Sequence, residues 1–198
     1  GFDKHYTGEL PLSPNEVGCY LSHMRCWEII KKKSDDYALI LEDDVIFNEN
    51  FKDFLNIKMV KFDILRLSSS KRNSLGIKIK KEGKYSFVHL FKPTALAGAY
   101  IITKNAANLC LNKSIPMREP VDHPFFRYYE LGHTVLHCLP NPITQSHQTS
   151  NIETERKEKK HKVTSSKSIS LKRSLQWAIG NFGLGKIITL RKYGPNDF

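Results

Sequence analysis

Ala38-Leu39-Ile40-Leu41-Glu42-Asp43-Asp44-Val45 is the stretch whose reading decides the fold. Four apolar residues in a row, set off by Ser34, Asp35 and Asp36, read as a short central strand buried on both faces. Three acids at the end of such a strand repel one another and resist desolvation, so something must offset their charge. In extended backbone, residues two apart share a side, which aims Glu42 and Asp44 at one point and Asp43 away from it. Ligands of open α/β sheets collect at the carboxyl ends of strands. An acid-x-acid pair of oxygen donors there suits Mg²⁺ or Mn²⁺, ions that keep open positions for phosphate oxygens. A solvated acidic turn after an edge strand is the alternative that the spacing leaves open.

Outward from this segment, the chain alternates helix and strand signals. Ser13-Pro14-Asn15-Glu16 combines a capping residue, a first-turn proline and the glutamate of a capping box. Val17, Tyr20, Leu21, Met24 and Trp27 follow at helical spacing, which predicts an amphipathic helix ending near Lys33. Downstream, Asn48–Leu55 reads as a short helix and Phe62–Leu67 as an apolar strand. Lys78–Phe91 reads as a hairpin broken at Glu82-Gly83-Lys84, and Ala97–Thr103 as a buried strand in which Gly98 marks a close backbone approach. A helix over Asn105–Leu111, another over Pro120–Leu131 and a strand over Thr134–Leu139 complete the pattern. Strands and helices alternating in this way predict an α/β layered domain over residues 1–150, with a mostly parallel sheet flanked by helices. Residues 151–198 read as a basic linker followed by an amphipathic helical tail over Leu171–Phe182.

Composition bounds the function. The 198 residues, 40% hydrophobic and 26% charged, have the balance of a globular protein that builds a core without disulfide or metal staples. No apolar run approaches the roughly 18 residues of a membrane span. The chain opens on Gly1 without a charged-then-apolar leader, so the secretory route has no support in the sequence. The cysteines Cys19, Cys26, Cys110 and Cys138 form no zinc-type spacing and read as free thiols in a reducing compartment. The formal net charge is +11, of which residues 151–198 carry +7 from 11 basic and 4 acidic side chains. Such a surplus favours phosphate-bearing partners: nucleic acid, anionic lipid or a phosphorylated glycolipid. The Lys/Arg clusters at 78–84 and 156–162 support a nucleic-acid-binding alternative. No groove-reading or base-stacking motif accompanies them, and that reading ranks below an enzyme.

The segments LSPNEVGCYLSHMRCW (Leu12–Trp27), LILEDDV, GAYIITKNAA, PVDHPFF and NPITQ occur in an order that closely resembles family 25 glycosyltransferases, the lipooligosaccharide galactosyltransferase group. The likeness runs from roughly Glu9 to Ile152. It implies a GT-A-like fold, a nucleotide-sugar donor, commonly UDP-galactose, and a divalent metal held at the EDD segment. It also implies a strand-and-helix unit ahead of the Ser13 helix that helps to bind nucleotide, so the domain reads as truncated at its N-terminus. A non-catalytic family relic is the competing reading.

Sugar transfer drives negative charge onto the departing diphosphate, which a metal stabilises. The expected ligands are Asp44, directly, and Glu42 beside it, with Asp43 behind the ligands or touching the donor sugar, and the order of the three acids stays open. Asp122, at the start of the expected helix, reads as the base for the acceptor hydroxyl or, equally, as a helix cap. Ser22 and His23 fall in the family's Leu-Ser-His motif and read as donor contacts, against a packed helix histidine as the alternative. His147 is an expected late metal ligand. Arg66 reads as a diphosphate contact or an exposed strand charge, and Trp27 as core. The expected acceptor is a lipid-linked oligosaccharide. The basic tail is expected to hold the protein peripherally on the anionic cytoplasmic face of the inner membrane.

Overall fold

Helix α1 (Pro14–Lys32) starts where its capping residues put it. In the computed structural model, which describes residues 12–49, 51–70, 74–91, 94, 96–117, 120–122 and 132–146 and the backbone of 190–193, the Ser13 hydroxyl accepts the Glu16 amide. The Glu16 carboxylate accepts the Ser13 amide in return, closing the capping box at 2.8 and 3.2 Å. Lys31 and Lys32 occupy the last turn, where the helix dipole favours positive charge. The buried face carries Tyr20, His23, Met24, Trp27 and Ile30. It packs against α3 (Lys104–Lys113), which Thr103 caps and whose small residues Ala106 and Ala107 permit close approach.

Seven strands form the main sheet in the order β1-β6-β3-β7-β5-β4-β9: β1 (Tyr37–Leu41), β3 (Ile64–Arg66), β4 (Ser74–Glu82), β5 (Tyr85–Leu90), β6 (Ala99–Thr103), β7 (Val135–Leu139) and β9 (Leu190–Tyr193). Of the neighbouring pairs only β3 and β7 run parallel, so the sheet is mixed and mostly antiparallel, not mostly parallel as the sequence suggests. Strands β3 to β6 follow one another with no helix between them, and parallel neighbours need a crossover connection. The apolar runs record cover on both faces, not strand direction. Adjacent residues of the central strands enter opposite cores: Ile64, Tyr100, Ile102 and Val135 face α1 and α3, whereas Leu65, Ala99 and Leu136 face Phe54, Phe62 and Phe87.

The strand over 37–41 is also placed differently. It is the edge of the sheet among the described residues, pairing with β6 alone. Ile40 is buried toward α1, but Leu39 is 44% and Leu41 40% exposed. A second, two-stranded ribbon pairs β2 (Val45–Phe47) with β8 (Ile143–Gln145), and α2 (Phe51–Leu55) follows it. The hairpin of β4 and β5 turns at Gly83, whose φ of +56° suits glycine. Residues of the tail from 151 to 189 and most of the expected 120–131 helix lie outside the described residues. The described part of the tail is the strand β9, paired to β4, and the expected helix over Leu171–Phe182 lies outside the described residues. No helix among the described residues is long and apolar enough to cross a membrane. All four cysteines are free, Cys110 and Cys138 being buried.

Two histidines inside the sheet tie stability to pH. His89 donates from Nδ1 to the Val135 carbonyl at 3.1 Å, and burial pushes it down to about 4. His137 is likewise pushed down by burial, and by the nearby Arg66 and His89. Both rings are therefore neutral in the fold, while in the unfolded chain they take up a proton near the ordinary value of about 6.5. The unfolded state binds more protons below that pH, so the stabilisation is whole above it and is lost as pH falls toward 4. Urea midpoints should fall steadily from about pH 6.5 to about pH 4.5. A flat profile over that window would contradict the assignment.

Candidate active site

The site forms where β1 ends. The Glu42 amide donates to the Gly98 carbonyl at 2.8 Å, the last rung between β1 and the entry to β6. The chain then turns through Asp43 and Asp44 and enters β2, whose pairing with β8 sets Val45 opposite Gln145. Gln145 Nε2 donates to Glu42 Oε2 at 2.9 Å and to Asp44 Oδ1 at 3.1 Å. Glu42 and Asp44 thus converge as their spacing suggests, although a turn and not strand alternation brings them together. Asp43 is exposed. Gly98 gives the Gln145 side chain its room: a Cβ there would lie 2.6 Å from it, and Gln145 would have to shift.

The second oxygen of Glu42 faces α1. His23 Nε2 lies 3.1 Å from Glu42 Oε1, and the Cys19 thiol donates to the same oxygen at 3.8 Å. Burial, followed by the Glu42 charge, pushes the Cys19 thiol up to about 12, so it is protonated. Behind His23, Nδ1 lies 2.8 Å from the Tyr100 hydroxyl, which also accepts the Trp27 indole N–H at 3.0 Å. A carboxylate can only accept, so His23 donates from Nε2 to Glu42, and Nδ1 shares a hydrogen bond with the Tyr100 hydroxyl. Burial raises Tyr100 well above the ordinary phenol value and keeps it a neutral donor. A relay of four side chains therefore runs from the core at Trp27 to the carboxylate at Glu42.

Asp122 occupies a turn and its Oδ2 accepts the Leu96 amide at 3.3 Å. Leu96 has φ of +78°, an unusual backbone state for leucine, and the segment that holds it leads into Gly98. Arg66 is 1% exposed and donates to the carbonyls of Thr94 and Leu96, holding that segment from inside. Burial lowers Arg66 to about 10 against the upward pull of Asp122. It is thus no exposed strand charge, and a diphosphate contact would require the 94–96 segment to open. Ser22 lies on the exposed face of α1 and its hydroxyl donates to the Gly18 carbonyl at 3.0 Å. His147 lies outside the described residues.

Sequence reading missed Gln145, Cys19 and Tyr100. Gln145 was visible only as the end of the NPITQ segment, and Cys19 only as the residue one helical turn before His23. Trp27 is core, as expected, but its indole nitrogen also anchors the relay.

Residues 2–125 match a family of sugar-transferring proteins described as "Glycosyltransferase family 25 (LPS biosynthesis protein)". The chain belongs to glycosyltransferase family 25. It is 31% identical over 119 residues to a Haemophilus influenzae protein named "Putative glycosyltransferase", covering 58% of this chain and 42% of that one. It is 29% identical over 142 residues to mouse "Inactive glycosyltransferase 25 family member 3", covering 65% of this chain and 23% of the relative. Against Xenopus laevis "Procollagen galactosyltransferase 1-B" it is 34% identical over 67 residues, covering 34% of this chain and 11% of that one. The chain spans less than half the length of each of these relatives.

Tyr100→Phe tests the relay. It strands the Trp27 N–H and His23 Nδ1 in a dry core, a loss of about 1–3 kcal/mol per unsatisfied group. Urea unfolding at neutral pH should show that loss, and an unchanged midpoint would remove the relay as a structural element.

Proposed function

We propose that this chain is part of a metal-dependent hexosyltransferase that moves galactose from UDP-galactose, with inversion, onto a lipooligosaccharide or LPS core acceptor. The observation that carries the reading is the convergence of Glu42 and Asp44 on one amide. The two carboxylates share the Gln145 amide, while the other oxygen of Glu42 meets His23 and Cys19. Gln145 Oε1, beside the carboxylates, is buried and has no hydrogen-bond partner among the described residues. Three oxygen-bearing side chains grouped in this way fit a hard dication such as Mn²⁺ or Mg²⁺. Glu42 and Asp44 would hold it, with the Gln145 amide able to turn its oxygen toward it. Bound there, the ion would supply charge stabilisation for the departing diphosphate.

The other roles belong to the chain's own groups. The relay from Trp27 holds Glu42 in one orientation, and Gly98 leaves room for Gln145. Asp122 takes the proton of the acceptor hydroxyl as that oxygen bonds to the anomeric carbon and the bond from that carbon to the diphosphate oxygen breaks. The exposed Asp43 is available to the donor sugar. The description of the family as LPS biosynthesis proteins supports the acceptor, and the procollagen galactosyltransferase name of a relative supports galactose. The inactive designation of the mouse relative favours the competing relic reading, in which the fold persists without turnover.

Turnover decides between them. With UDP-galactose, manganese and a lipooligosaccharide acceptor, the intact protein should release UDP. Glu42→Gln or Asp44→Asn should lower the rate by on the order of 10²–10³, and Asp122→Asn by about 10²–10⁴. No manganese-dependent release from folded protein would favour the relic.

The basic surplus of residues 151–198 supports peripheral attachment to an anionic cytoplasmic leaflet. Because β9 pairs with β4, deleting the tail would also remove a strand, so charge neutralisation is the cleaner probe. Replacing Lys159, Lys160 and Lys162 by Gln should reduce co-sedimentation with phosphatidylglycerol vesicles. Equal pelleting would exclude this cluster as the anchor.

A further inference from the structure

The geometry points to a second kind of metal site, on the α1 side of Glu42: Cys19, His23 and Glu42 form a three-ligand site for a thiophilic dication such as Zn²⁺. Cys19 and His23 are four residues apart on α1, so they project from one face a single turn apart. Strand β1 delivers Glu42 to that face. Its Oε1 lies 3.1 Å from His23 Nε2 and 3.8 Å from Cys19 Sγ, and the three donor atoms all fall within 4.8 Å of one another. Tetrahedral zinc, with bonds of about 2.0–2.3 Å, separates its ligand atoms by roughly 3.3–3.6 Å. The two separations to Glu42 Oε1, 3.1 and 3.8 Å, bracket that spacing.

The surroundings supply an independent observation. Metal-binding histidines are oriented by a partner on the other ring nitrogen, and metal-binding carboxylates by a hydrogen bond on the other oxygen. Here Tyr100 holds His23 Nδ1 at 2.8 Å and Gln145 holds Glu42 Oε2 at 2.9 Å, leaving Nε2 and Oε1 to converge with the sulfur. Tyr100 serves either tautomer. Its hydroxyl donates to Nδ1 when Nε2 carries the hydrogen, and its oxygen accepts from Nδ1–H when Nε2 must ligate. Binding exchanges the thiol proton for the ion, and that proton leaves to solvent. Cys19 is half-buried and Glu42 is 27% exposed, which leaves an entry path and a fourth position for water. Thiolate and imidazole select zinc or cobalt over manganese and magnesium, so this donor set differs in kind from the oxygen set of Glu42, Asp44 and Gln145. The two sets share one carboxylate and compete for it.

Cobalt reports the site without relying on turnover. The intact, reduced, metal-free protein titrated with Co²⁺ should develop a thiolate-to-cobalt charge-transfer band and the intense visible bands of a tetrahedral ion, saturating at one equivalent. Zinc should abolish them, and a tenfold excess of magnesium should not. Cys19→Ser should remove the charge-transfer band, whereas Cys26→Ser should keep it. Tyr100→Phe, if its circular dichroism is native, should weaken cobalt binding about 10–100-fold. No band in folded wild-type protein, or a band that survives Cys19→Ser, overturns the proposal. Failure of the transferase reading would appear instead as absent manganese-dependent UDP release and would leave these spectra unchanged.

Discussion

The Tyr100 hydroxyl is the contact on which the rest of the site depends. It is 1% exposed, projects from β6 toward α1, and meets the Trp27 indole and the His23 ring. Both partners come from α1, one helical turn apart, so a single oxygen fixes the rotation of the helix over the sheet. The bonds are required because the groups are buried: an indole N–H and an imidazole nitrogen without partners there would oppose the burial of the rings that carry them. With α1 in this register both are satisfied, and His23 meets Glu42 beyond the end of β1.

A second constraint acts from the opposite side. The segment before β6 is held from within by Arg66, through the Thr94 and Leu96 carbonyls, and from without by Asp122, through the Leu96 amide. A fully buried guanidinium is costly unless its donors are used, and this segment uses them. The result places Gly98 opposite Glu42 with its missing side chain toward Gln145. Glu42 is thus bracketed: histidine and thiol on one oxygen, amide on the other. One carboxylate with two differently equipped oxygens is the chemical feature that distinguishes this site.

Family membership and the arrangement of the acids bear on different questions. The family match spans the segment that contains α1, β1 and β6. Names among the relatives include both galactosyltransferases and inactive members, so membership alone does not supply turnover.

Much of this was legible in the chain alone. The capping box at Ser13, the helix of α1, the hairpin at Gly83, the close approach at Gly98 and the acid pair at 42 and 44 are local in origin, set by caps, periodicity and turn chemistry within a few residues. Strand direction, the edge position of β1 and the partners of Glu42 were not legible. They depend on pairings between residues about twenty to a hundred apart, such as His23 with Glu42 and Gln145 with Asp44. An apolar run looks the same whether its neighbour runs parallel or antiparallel, and a glutamine at the end of a short strand carries no mark of what lies across from it. Sequence therefore determined the caps, the turns and the acidic cluster at 42–44, because these follow from residue type and local spacing. Tertiary structure decided which groups meet, because only sheet pairing and helix register bring distant side chains within bonding distance.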